Sequence, residues 1–104
     1  FRAQNRWVHG TENRTVINDV YGAGQEQKRE KPFVLVKDEP IFLLGTDEGA
    51  NPVEHLLAAL AGCLTTTLVY FAAAEEVKLN EVTSKIEADA SLLGIFGIDE
   101  NVRM

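Results

Sequence analysis

The chain has 104 residues and 11.5 kDa, enough for one modest core and too little for a second full domain. Ten Lys and Arg against 16 Asp and Glu give a net charge of −6, concentrated in the second half: residues 1–50 hold seven basic and eight acidic side chains, residues 51–104 three and eight. Nucleic-acid binding is disfavoured, because counterion displacement needs clustered cations. With 45% hydrophobic and 25% charged residues the composition is that of a globular protein rather than a disordered one.

The single cysteine, Cys63, excludes an internal disulfide and a multi-thiolate zinc site, and its solitude suits a reducing, cytoplasmic setting. His9 and His55 have no second ligand at metal spacing and read as surface or cap-region residues. The opening at Phe1 and the stop at Met104, just after a turn-like Gly97-Ile98-Asp99-Glu100-Asn101, are those expected of part of a longer protein.

Residues 1–9, with Trp7 and Val8, and residues 14–20, with Thr15, Val16, Ile17 and Val20, predict two strands joined by a hairpin loop at Gly10–Asn13. Residues 22–31 have many charges and no apolar period, which predicts an exposed loop. Phe33–Val36 and Ile41–Leu44 are short apolar runs about Lys37-Asp38-Glu39-Pro40, a turn signature. Gly45–Ala50 reads as a second loop.

Asn51-Pro52-Val53-Glu54 is a helix start: Asn as N-cap, Pro at the first helical position, Glu three residues after the cap. A helix from Pro52 to about Glu76 would be about 37 Å long. Its 19 uncharged residues, Leu56–Ala74, meet the length rule for a membrane span. Against a span stand the Ala, Gly and Thr content (Thr65–Thr67 in a row), flanks of Glu54-His55 and Glu75-Glu76 without an anchoring Arg, and amphipathic strands that need something to cover. The expectation is a buried core helix, with Ala58, Ala59, Ala61 and Gly62 allowing the close approach of another backbone, such as a second copy. Beyond it, Val82, Ser84, Ile86, Ala88 and Ala90 alternate with Thr83, Lys85, Glu87 and Asp89, predicting a half-buried strand over about 79–91.

At about 100° per residue, Cys63 shares a face with Leu56, Ala59 and Leu60 and, one turn on, with Thr66, Thr67 and Tyr70. Such a cysteine is either a small core residue or, where a positive group holds it as thiolate, a nucleophile. In a straight helix Glu54 lies on the opposite side of the axis from Cys63, so the two cannot touch within one chain. Glu54 by itself reads as the third residue of a capping box.

The run Asn51-Pro52-Val53-Glu54-His55-Leu56-Leu57-Ala58-Ala59-Leu60-Ala61-Gly62-Cys63 resembles the signature helix of the OsmC/Ohr family, with the early Trp7 strand and the Gly-bearing loop before Asn51 in agreement. The resemblance covers the N-terminal two thirds of a typical member. It implies an α+β fold: one OsmC-like domain over residues 1–104, with strands within about 1–50, an antiparallel sheet wrapped on a long buried central helix over about 52–76, and an intertwined homodimer. It further implies a thiol-dependent reduction of organic hydroperoxides or hydrogen peroxide, with Cys63 as the attacking thiolate. Arg14, chosen over Arg2 and Arg6, would favour the thiolate and steady the departing alkoxide, with Glu54 orienting it; on the residues alone Arg14 is a solvated hairpin charge.

No cofactor is expected beyond an external reductant such as a lipoyl or other dithiol, and neither nucleic acid nor membrane is expected as a partner. Two features depart from the family's peroxidases. The acidic residue falls one place later, with Val53 after the Pro, as in the broader OsmC-like branch. The second, resolving cysteine is not among these 104 residues, so that either it belongs to a missing C-terminal part or the chain belongs to a one-cysteine branch. Two alternatives follow: a non-catalytic OsmC-like binding or redox-sensing module, and a hot-dog-like thioesterase using Glu54 and His55.

Overall fold

The computed structural model describes residues 1–89. The chain divides into two compact units, Phe1–His55 and Leu56–Met104. The first is built of β1 (Gln4–His9), β2 (Glu12–Ile17), β3 (Val20–Gly22), β4 (Gln25–Gln27), β5 (Phe33–Lys37) and a 3₁₀ turn at Ile41–Leu43; α1 (Pro52–Ala74) starts in it and continues into the second. The architecture is therefore α+β, with an antiparallel sheet and one long helix.

β1, β2 and β5 form an antiparallel sheet in the order β1-β2-β5, with β3 and β4 a separate hairpin inserted between β2 and β5. Period-2 alternation in β2 sets Arg14 and Val16 on one face and Asn13, Thr15 and Ile17 on the other. The β1–β2 turn is tighter than expected, because Gly10 takes φ +55° and the Trp7 indole N–H donates to the Gly10 carbonyl at 2.8 Å. Strand pairing consequently resumes at Glu12, with a register shift between Trp7 and His9.

Residues 22–31 were expected to be irregular, yet they contain most of a hairpin. Ala23 and Gly24 both take positive φ, 51° and 80°, the geometry of a two-residue turn whose twist suits antiparallel strands, and that turn pairs Val20–Gly22 with Gln25–Gln27 despite their polarity. The predicted strand at 79–91 is a correction in the other direction. Leu79–Asp89 has no ladder partner among the described residues, since alternation supplies a face but not a neighbouring strand; residues 90 and 91 lie outside the described residues.

α1 ends two residues before the predicted Glu76. Val77 N–H bonds the Ala72 carbonyl at 2.8 Å and Glu76 N–H that of Ala73 at 3.2 Å, with Glu76 left-handed at φ 57°. This is the αL cap that usually takes Gly. Ala72 is the only buried residue of α1, while Leu56 (68% exposed), Tyr70 (73%) and Phe71 (66%) stand open. Within its own unit, then, the helix leaves most of its apolar side chains exposed. By length and composition α1 also passes the test for a membrane span, with mean hydropathy 1.9 over its best window.

Candidate functional site

The start of α1 is fixed by the loop that precedes it. Asp38, fully buried where β5 ends, receives the Thr11 hydroxyl at 2.5 Å and Glu39 N–H at 2.8 Å on Oδ1. On Oδ2 it receives the Thr46 hydroxyl at 2.9 Å, Thr46 N–H at 3.3 Å and Glu48 N–H at 3.2 Å. The Thr11 hydroxyl first, and these other donors with it, hold the Asp38 carboxyl well below the usual carboxylate range, against the opposing effect of burial. One carboxylate thereby ties the β1–β2 turn, the end of β5 and the Gly45–Ala50 loop together.

Two glycines bring this loop close to the sheet. A Cβ on Gly45 would stand 1.9 Å from the Glu39 carbonyl oxygen, and one on Gly49 would stand 2.2 Å from that of Val36. The helix then opens on the predicted capping box: Glu54 N–H donates to Asn51 Oδ1 at 2.8 Å and Asn51 N–H to Glu54 Oε1 at 3.0 Å. Asn51 Nδ2 also donates to Glu39 Oε1 at 3.2 Å, and His55 Nε2 meets the Val36 carbonyl at 3.3 Å. The reading of Glu54 from its own spacing, as a cap, is the one its hydrogen bonds describe.

Arg14 has a different carboxylate. Its Nε donates to Glu12 Oε2 at 3.3 Å, and its Nη2 lies at 3.3 Å from the same oxygen. Glu12 is buried, and His9 Nε2 lies 3.5 Å from its other oxygen. The partner that the resemblance assigned to Arg14, Glu54, is occupied at the cap. Arg2 forms an exposed pair with Glu26 at 2.6 Å, which leaves Arg6 as the one of the three candidate arginines without an acidic partner among the described residues.

Cys63 lies on α1 in the second unit and is exposed, its thiol free. Downstream of it, the end of α1 and the segment after its cap enclose an open apolar groove of about 580 Å³ lined by Leu68, Phe71, Ala72, Glu75, Val77 and Leu79. No group of three or more His, Cys, Asp or Glu side chains that could hold a metal ion occurs among the described residues.

Sequence reasoning missed Glu12 and Asp38. Asp38 had a signal, since an Asp before Glu-Pro in a turn is a ready acceptor for neighbouring N–H groups. Glu12 had a weaker one, its two-residue spacing from Arg14 on a strand face.

The helix start, the loop before it and the Cys63 helix fall inside a single family match: the model of the OsmC-like protein family aligns to residues 45–103, more than half the chain. The chain belongs to the OsmC-like family. A comparison with curated proteins finds no match. The match opens at Gly45, so the glycine that lies against Glu39, the capping box and Cys63 are all parts of the OsmC-like segment, whereas Arg14, Glu12 and the three-stranded sheet precede it.

Proposed function

We propose that this OsmC-like chain is a thiol peroxidase that works through Cys63 as a homodimer in the cytoplasm. The observation that carries the reading is an exposed, free thiol on the helix of the OsmC-like segment, opened by the Asn-Pro capping box that marks the family resemblance.

In the reaction, the Cys63 thiolate attacks the terminal oxygen of a hydroperoxide. An S–O bond forms, the O–O bond breaks, and the alkoxide leaves and takes up a proton to give the alcohol, with Cys63 oxidised to the sulfenic acid. A dithiol reductant, such as a lipoyl group, attacks Sγ and releases water to form a mixed disulfide. Its second thiol then frees Cys63 and leaves the reductant as a cyclic disulfide. This route needs no resolving cysteine. Arg14 supplies the positive charge that favours thiolate over thiol and steadies the departing alkoxide; Glu12 fixes its guanidinium, and Glu54 serves as the cap that orients the start of α1. A second copy covers the apolar sides of α1. Neither nucleic acid nor membrane has a part in the reading.

The engagement of the Arg14 guanidinium by Glu12 favours one further reading, a binding or redox-sensing module that oxidises once without turnover. A thioesterase using Glu54 and His55 is disfavoured, because both side chains are engaged in fixing the helix start. The test is turnover of an alkyl hydroperoxide with dihydrolipoamide as reductant. Sustained turnover by the wild type, abolished in Cys63→Ser, is expected. A single stoichiometric oxidation would establish the sensing module, and equal turnover in Cys63→Ser would overturn both.

A further inference from the structure

The face of the sheet that carries Arg14 also carries Arg6, and the register places the two directly opposite each other on β1 and β2. Side chains so paired have Cβ atoms about 5 Å apart, and like charges in that position destabilise a sheet. The nearby carboxylate does not balance the pair. Glu12 gives one oxygen to Arg14 and has His9 at the other, and no acidic side chain reaches Arg6 among the described residues. Two guanidiniums, Arg6 and Arg14, against the one carboxylate of Glu12 leave a surplus positive charge.

Beside the pair lies an open groove of about 760 Å³, lined by Gln4, Asn5, Arg6, Arg14, Val16 and Val34. Its floor includes an aliphatic pair: Val16 pairs with Gln4 on one side and with Val34 on the other, two register positions along from the arginines and so on the same face. The groove thus joins one unbalanced positive charge, on two forked donors, to an aliphatic strip. The geometry points to a binding site for a monocarboxylate with an aliphatic chain, the carboxylate between Arg6 and Arg14 and the chain along Val16 and Val34. A carboxylate matches the forks of guanidinium donors and cancels the one surplus charge, which a phosphate dianion would exceed. The site shares Arg14 with the proposed peroxide chemistry but uses no atom of Cys63, so octanoate binding in Cys63→Ser separates the two readings.

The probe is octanoate, below the concentration at which it forms micelles, followed by two-dimensional amide NMR and by titration calorimetry on the intact chain. Saturable binding is expected, with shifts at Arg6, Arg14, Val16 and Val34. Octan-1-ol, equal in chain length but uncharged, binds about tenfold more weakly, as does octanoate to Arg6→Gln, the loss of one charge-assisted hydrogen bond. Arg6→Lys keeps more affinity than Arg6→Gln. Arg6→Gln folds, since it relieves a like-charge pair without removing an ion pair, and thermal unfolding checks this. Equal binding of octanoate and octan-1-ol, wild-type affinity in Arg6→Gln, shifts confined to α1, or no binding would each overturn the site.

Discussion

Asn51 and Glu54 each donate a backbone N–H to the other's side-chain oxygen, at 3.0 and 2.8 Å, and so close the first turn of α1 on itself. Two of the N–H groups at the helix start are satisfied by this exchange. Because Pro52 lacks an N–H and is already set for helical φ, the box needs no other partner.

That exchange separates a capping Glu54 from a catalytic one. Glu54→Ala is expected to lower stability by about 1 kcal/mol in denaturant unfolding, the usual cost of a lost cap. Glu54→Gln keeps an oxygen that can accept the Asn51 N–H and is expected to retain both stability and peroxide turnover. Turnover lost in a fully stable Glu54→Gln protein would mean that the carboxylate charge acts in the chemistry.

Asp38 makes the first unit sensitive to acid. Its carboxyl is held below the usual range in the folded chain, so the stability it contributes is fully present above the unfolded-state value of about 3.9 and is lost as pH falls toward the lower folded-state value. Unfolding followed by Trp7 fluorescence should therefore show stability declining below about pH 4. Asp38→Asn should be less stable at neutral pH and should flatten that decline, because an amide offers one acceptor oxygen where the carboxylate offers two to its five donors. An unchanged acid profile in Asp38→Asn would show that other carboxylates set it.

Gly45 and Gly49 leave no room for a side chain, since a Cβ would meet the backbone of Glu39 and Val36 respectively. Gly45→Ala and Gly49→Ala are each expected to cost about 3 kcal/mol or more, at the upper end of overpacking penalties. Backbone must shift, not a flexible side-chain tip. The measurement is the midpoint of urea unfolding, and a shift comparable to that of an exposed alanine substitution would show that the loop gives way freely.

The features legible in the sequence were those written in local chemistry. The capping box from Asn51 to Glu54, the turn at Gly10, the strand after it, the apolar run at Phe33–Val36 and the long helix all follow from residues near one another in the chain. The family segment was legible from the run Asn51–Cys63. What escaped reading depended on residues distant in sequence or on backbone choice. Asp38 looked like a turn residue because its donors Thr11, Thr46 and Glu48 lie 8 to 27 positions away. The β3–β4 hairpin escaped because Gln25-Glu26-Gln27 has no apolar pattern, and its pairing is set by the positive φ of Ala23 and Gly24. The pairing of Arg14 with Glu12 escaped because the resemblance directed attention to Glu54.

The exposed small-residue stretch around Gly62 tests the proposed homodimer. In the chain alone a Cβ at Gly62 meets nothing within 4 Å, so by helix propensity Gly62→Ala should stabilise α1 by up to about 1 kcal/mol. If a second copy brings its backbone against Ala58, Ala59 and Gly62, the same methyl group instead separates the two helices. We expect the second effect to dominate: sedimentation equilibrium should show the dimer of Gly62→Ala dissociating at a concentration at least about tenfold higher than wild type, equivalent to about 1.4 kcal/mol. Far-UV circular dichroism of the variant should stay helical, which separates a lost contact from a lost helix. A Gly62→Ala dimer as tight as the wild type would place the interface on another side of α1, and a wild-type chain that remains monomeric would remove the homodimer from the proposed mechanism.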